Sequence, residues 1–253
     1  MLDFLARKAL ARLMLARLHA MVDPLLDEPD RGTLSYREKL QLEDGSMAIE
    51  INVPPGRADL CWLIAGRREV ATGLSSLVVR DNAPGPRGKK IRALQHAIRG
   101  MRQVRDSGVR VVVSLPGEVD REHANEWMSR PVARSPLTLD QQREAVARYL
   151  RDILVAMVDE EDEERVVVDV EEDGADDVYH LDQRGEGKSL RGLFLGKNSA
   201  TVKSLVTLSQ AYACAQGFLR QPMIRVRRDD GTTGQRGAGT DSYPPAVHRR
   251  AAR

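Results

Sequence analysis

The sequence predicts an α+β fold built as two small domains in succession, each a three-stranded sheet packed by helices. Two observations predict it. Apolar spacing alternates between the helical and the strand period in the order αββααβ, and that order occurs twice within 253 residues. Turn-forming Gly and Pro clusters fall at 54–56, 82–88, 116–117 and 185–187, between the periodic segments. With 42% apolar and 30% charged residues, the chain can bury two modest cores.

Leu2, Leu5, Ala9, Leu10, Leu13, Ala16, Leu18 and Met21 recur at helical spacing until Pro24, which predicts an amphipathic helix over 2–23. Strands follow over 34–42 and 47–53. Between them lies Glu43-Asp44-Gly45-Ser46, whose Asp-Gly pair suits a tight hairpin turn. A helical stretch over 57–79, bent near Gly66 or Gly73, precedes the loop 82–88. A helix over 89–105 and a β-branched strand over 109–115 complete the first domain, 1–117. The irregular stretch 118–139 reads as a linker. In the second domain, 140–228, Ser135 and Thr138 suit the start of a helix over 140–158. Strands are expected over 165–171 and 178–182, a short helix up to Leu195, a turn at 196–199, a helix over 200–217 and a strand over 223–228. From Asp229 onward the chain is rich in Gly, Thr, Pro and Arg without periodicity, and this 229–253 tail is expected to be disordered.

Composition narrows the chemistry. Aromatic residues make up only 4% of the chain, too few for a surface that binds nucleotides by stacking. Charge is uneven: Gly56 to Arg110 holds twelve Arg/Lys against four Asp/Glu, while Asp159 to Asp177 holds twelve Asp/Glu against one Arg. The first stretch attracts a polyanion and the second repels one. Cys61 and Cys214 sit in apolar helical contexts that suit small buried hydrophobes, with no disulfide framework. His19, His96, His123, His180 and His248 lack ligand spacing, so no metal is expected. Gly185-Glu186-Gly187-Lys188-Ser189 ends like a Walker A loop, but Asp182 stands where its first glycine belongs. Glu118, Glu122 and Glu126 read as a solvated face. No nucleophile, base and oxyanion set is present, so neither catalysis nor a cofactor is expected. Arg7, Lys8, Arg12 and Arg17 interrupt the first helix, so no membrane span is expected and a cytoplasmic setting is.

The segment Leu193-Phe194-Leu195-Gly196-Lys197-Asn198-Ser199-Ala200-Thr201-Val202-Lys203-Ser204-Leu205 resembles the signature of KH domains, in which an apolar pair precedes Gly-Lys-x-Gly and a helix. The helix with Tyr149, Leu150, Ile153, Leu154 and Met157, the paired strands and Ile224-Arg225-Val226 stand in the order seen in small bacterial KH proteins of the KhpA and Jag type. That resemblance implies type II KH-like domains, two in tandem, that clamp single-stranded or ribosomal RNA through Gly196, Lys197, Asn198, Ser199 and Lys203. The physics is independent of the family: a glycine-bearing loop that opens a helix turns backbone N–H groups and the positive helix end toward a phosphate. Ser199 stands where the family has a second glycine; a serine there can cap the helix but resists positive φ.

In the first half, Gly85-Pro86-Arg87-Gly88 followed by Lys89, Lys90 and Arg92 is an intact G-x-x-G before a basic helix, and charge favours it as the main RNA site. Leu63-Ile64-Ala65-Gly66-Arg67-Arg68-Glu69 is the alternative loop. Gly108-Val109-Arg110-Val111-Val112-Val113-Ser114, with Glu126-Trp127 and Pro136-Leu137, is similar to part of a KH-bearing small-subunit ribosomal protein. The rival expectation is a protein-interaction scaffold on degenerate KH folds, docking a partner through helix 2–23 or the acidic 159–177 stretch. Because the 229–253 tail has too little apolar surface to offset its ordering entropy, its removal should leave the thermal midpoint within a degree or so. Differential scanning calorimetry of the truncated chain checks this, and a drop of several degrees contradicts it.

Overall fold

The computed structural model describes residues 4–26, 30–39, 47–55, 57, 60, 89–114, 134–174 and 176–227. Among these residues are six α-helices and two three-stranded sheets, an α+β arrangement. The chain divides into two units: one runs to Ser135 and takes in residues 215–217, and the other holds Pro136–Cys214 and the chain from Phe218 onward. The stretch 118–133 of the expected linker, the 57–79 helical stretch apart from Arg57 and Leu60, the 43–46 turn, and the 229–253 tail lie outside the described residues.

In the first unit, helix α1 (Phe4–Val22) buries Leu10, Met14, Leu18, Met21 and Val22 along one face and turns Lys8, Arg12 and His19 outward. Pro24 falls in the 3₁₀ turn Asp23–Leu25, at a helix start where its missing N–H costs nothing. Strand β1 (Ser35–Lys39) pairs antiparallel with β2 (Met47–Asn52), which pairs parallel with β3 (Val111–Ser114). The central strand β2 is buried from Met47 to Ile51. Glu50 is therefore an acid in the core, and Arg37, directly across in register, neutralises it at 2.9 Å.

The sequence predicts one helix over 89–105, but two are present: α2 (Lys89–Gly100) and α3 (Arg102–Ser107). Gly100 makes leaving the helix cheap, and Met101 takes an extended ψ of 138° with its side chain buried in the core. Two side chains tie α2 to β3. Gln95 Oε1 accepts from the Val113 N–H at 3.1 Å, and Arg99 Nε donates to the Val111 carbonyl at 2.7 Å.

The second unit opens with helix α4 (Leu139–Val155) behind a capping box: Thr138 Oγ1 accepts from the Gln141 N–H, and Gln141 Oε1 accepts from the Thr138 N–H. Strand β4 (Val166–Asp173) pairs antiparallel with β5 (Asp176–Gln183), and β6 (Pro222–Val226) pairs parallel with β5. Between β5 and β6 come the short helix α5 (Arg191–Leu195) and the long helix α6 (Ala200–Ala215). Order and strand sense are those of the first sheet. Val146, Leu150, Ile153 and Leu154 of α4 and Val202, Leu205 and Leu208 of α6 are buried together with Val166, Tyr179, Leu181 and Ile224 of the sheet. Tyr149 stacks on Tyr212 at 4.6 Å, and Phe218 meets Tyr212 edge-on. Cys214 departs from expectation. It is exposed, because Ala211 and Ala213 take the inward positions of the last turn of α6. Cys61 lies outside the described residues.

Replacing Gln95 by Leu keeps the volume near constant but strands the buried Val113 N–H. The loss should be about 1–3 kcal/mol in urea denaturation. An unchanged midpoint contradicts the pairing.

Candidate nucleic-acid interface

The backbone of the loop between α5 and α6 is set by what stands behind it. Gly196 has φ 67° and ψ 171°, a region open essentially to glycine alone. A Cβ there would overlap the Thr201 hydroxyl and come within 2.8 Å of the Thr201 nitrogen. The loop then closes as a 3₁₀ turn over Lys197–Ser199, with the Ser199 N–H on the Gly196 carbonyl at 3.1 Å and the Ala200 N–H on the Lys197 carbonyl. Asn198 and Ser199 both take left-handed backbone, at φ 55° and 58°. The sequence reading has Ser199 resisting positive φ; it adopts it, at a cost of roughly 1–2 kcal/mol. Asn198 bears that conformation more easily, because its short polar side chain suits left-handed geometry.

This turn presents positive charge to solvent. Lys197 and Asn198 are exposed, and the first turn of α6 carries no acid, so nothing there offsets the positive helix end. Lys203, one turn into α6, reaches back to donate from Nζ to the Asn198 carbonyl at 3.0 Å. Its ammonium is thereby held at the loop. Gly196, Lys197, Asn198, Ser199 and Lys203 thus come together as one cationic turn.

The acidic stretch 159–177 does not lie as a free negative surface, because arginines take up many of its carboxylates. Glu172 accepts from Arg220 at 2.6 Å on one oxygen and from Arg143 at 2.8 Å on the other. Both guanidiniums also reach Asp177. Those hydrogen bonds, Arg220 first, hold Glu172 below the usual carboxylate range. Arg225 pairs with Asp173, Arg227 with Asp169 and Asp182, and Arg165 with Asp162. His180, buried in β5, meets Glu171 at 3.0 Å; burial lowers its pKa, and the Glu171 hydrogen bond works the other way.

Arg165 also donates to the Arg184 and Lys188 carbonyls, so the Gly185–Ser189 turn is stitched to the sheet end rather than arranged as a phosphate cradle. Among the described residues no group of His, Cys, Asp and Glu side chains is placed to hold a metal ion, and no helix is long and apolar enough to cross a membrane.

Of the residues that the sequence marks in the first half, Gly85, Pro86, Arg87 and Gly88 lie outside the described residues, as does the alternative 63–69 loop. Lys89 and Lys90 begin α2, Lys90 half-buried, and Arg92 is the exposed cation on that helix's first turns. The remainder of α2 is largely core, with Ile91, Leu94, Ala97 and Ile98 all buried.

Sequence reasoning misses a shallow cleft at the far end of α5. Arg191 and Phe194 from α5, Leu181, Asp182 and Gln183 from the end of β5, and Arg227 just past β6 line it. Only the parallel pairing of β5 and β6 brings Arg227 to Arg191; no sequence signal announces it.

Compared with protein-family models, with curated proteins and with solved structures, the chain gives no match in any of the three.

Two substitutions test the loop. Ser199→Gly relieves left-handed strain against some extra unfolded-chain entropy, and should raise stability by about 0.5–1 kcal/mol. Gly196→Ala meets both the backbone restriction and Thr201, and should cost about 2–4 kcal/mol. Paired urea melts of the two variants read both signs.

Proposed function

We propose that the chain is an RNA-binding protein made of two type II KH-like units in tandem, acting by binding rather than catalysis, in the cytoplasm. It holds single-stranded or ribosomal RNA mainly by its phosphates. The observation that carries this reading is the turn Gly196–Ser199. It is a glycine-hinged, acid-free loop with Lys197 and Lys203 at the start of a sixteen-residue helix. A phosphate there meets backbone N–H groups, the positive helix end and two mobile ammonium groups. KH domains clamp about four nucleotides of backbone in this way.

Three further observations support the reading. The second unit runs αββααβ with its central strand antiparallel to one neighbour and parallel to the other. The first sheet repeats that pairing. In the described part of the first unit, α1 and α2 carry basic side chains and no acid.

Filter binding to a ten-nucleotide oligouridine tests it. Affinity should fall with salt at a log–log slope of about −0.7 per phosphate. Changing Lys197 and Asn198 together to Asp places two carboxylates where a phosphate sits and should weaken binding by roughly 1–3 kcal/mol. The matching change at Pro86 and Arg87 measures the share of the first half. If neither double variant loses affinity, or affinity ignores salt, the phosphate clamp is wrong and the protein-scaffold reading takes its place.

A further inference from the structure

The cleft beside α5 holds an unmet hydrogen-bonding demand. Among the described residues, Arg191 Nε and Arg227 Nε are both buried without a hydrogen-bond partner. A desolvated N–H on a charged group costs more than a neutral one left unpaired, so two in one cleft call for an acceptor. Arg227 already gives its terminal nitrogen to Asp169 and Asp182, which settles the cleft's own acid. Gln183 is likewise occupied, its carbonyl oxygen accepting from the Leu190 N–H. Arg191 has no acid partner among the described residues. The cleft therefore has guanidinium donors to spare and no acceptor of its own to spend on them. Phe194 and Leu181 floor it and keep its dielectric low, which strengthens a charge-assisted bond made there.

We infer that this cleft is a second phosphate subsite, in which Arg191, backed by Arg227, takes a backbone phosphate of the same RNA strand whose neighbouring phosphate sits on the Gly196–Ser199 turn. This rests on the RNA-binding reading above and extends it. The four-residue rise from Arg191 to Leu195 is about 6 Å, so one strand reaches both points within a nucleotide or two. Arg suits the position because its planar fork offers parallel donors that an ammonium lacks. The cation of the loop and that of the cleft then fix the strand's direction across α5, which a single clamp cannot do.

The test uses the full chain and the ten-nucleotide oligouridine. Arg191→Gln should weaken binding about tenfold and reduce the salt slope by about 0.7, the value of one phosphate on a single strand. Arg191→Lys should restore the slope but only part of the affinity. In parallel, the Arg191 Nε–H resonance of the wild-type chain is followed during titration with the RNA and with inorganic phosphate. A shift saturating with RNA at its binding constant, absent at millimolar phosphate, supports the subsite. If the Lys197/Asn198 double variant loses RNA while Arg191→Gln keeps both affinity and slope, this inference falls and the loop clamp stands. A resonance that follows inorganic phosphate alone overturns the RNA assignment. If the wild-type chain binds no RNA, the broader reading fails and takes this one with it.

Discussion

Two strands that run parallel cannot be joined by a tight turn; the chain must cross the sheet and come back, and a helical connection is the economical way. In the second unit this requirement falls on β5 and β6, and everything of functional interest lies in the crossover it forces. The crossover is broken into α5, a four-residue turn and α6, so its middle becomes a helix start with open space before it. Gly196 supplies the backbone that the break needs, and Thr201 behind it leaves no room for a side chain. The two left-handed residues that follow are the cost of turning so soon into α6. The topology thus selects where an anion finds backbone donors, and the local sequence adds the lysines.

Charge is distributed in a way that composition alone hides. The run from Asp159 to Asp177 looks like a surface that would repel RNA or recruit a basic partner. Folded, it is held by arginines supplied from elsewhere in the unit: Arg143 from α4, Arg220 from the connection into β6, and Arg225 and Arg227 from β6 and its end. Such pairs on a partly wet surface are worth little individually, but their geometry removes a field that would oppose the lysine turn. The acids and their arginines lie on the sheet and its ends, while Lys197 and Lys203 stand at the opening of α6.

Much of the fold was legible because it depends on local rules. The Thr138–Gln141 capping box, the apolar line Tyr149, Leu150, Ile153 and Leu154, and the glycine at 196 each announce an element within a few residues. The break at Met101 was not legible. Neither Gly100 nor methionine forbids a helix outright, and the decision comes from burying Met101 beside residues distant in sequence. Ser199 in left-handed backbone was misjudged for the same kind of reason: intrinsic preference is outweighed by a turn closed at both ends, through Gly196 and the start of α6. The lysines of the candidate site were readable as a motif. The Arg191–Arg227 cleft was not, since parallel strand pairing alone brings those two side chains to one place.

The bonds from Gln95 and Arg99 to β3 reach beyond the packing of α2. Residues 111 and 113 turn their backbone groups away from β2, toward the side on which the sheet ends. Left open, that row is a template on which another chain can lay a strand. Helix α2 fills it with an amide oxygen at one rung and a guanidinium at the other. The first sheet is thereby finished at three strands on that side. Self-association by strand addition is closed off there, and a basic protein that gathers along a polyanion at high local concentration keeps its sheets from joining edge to edge.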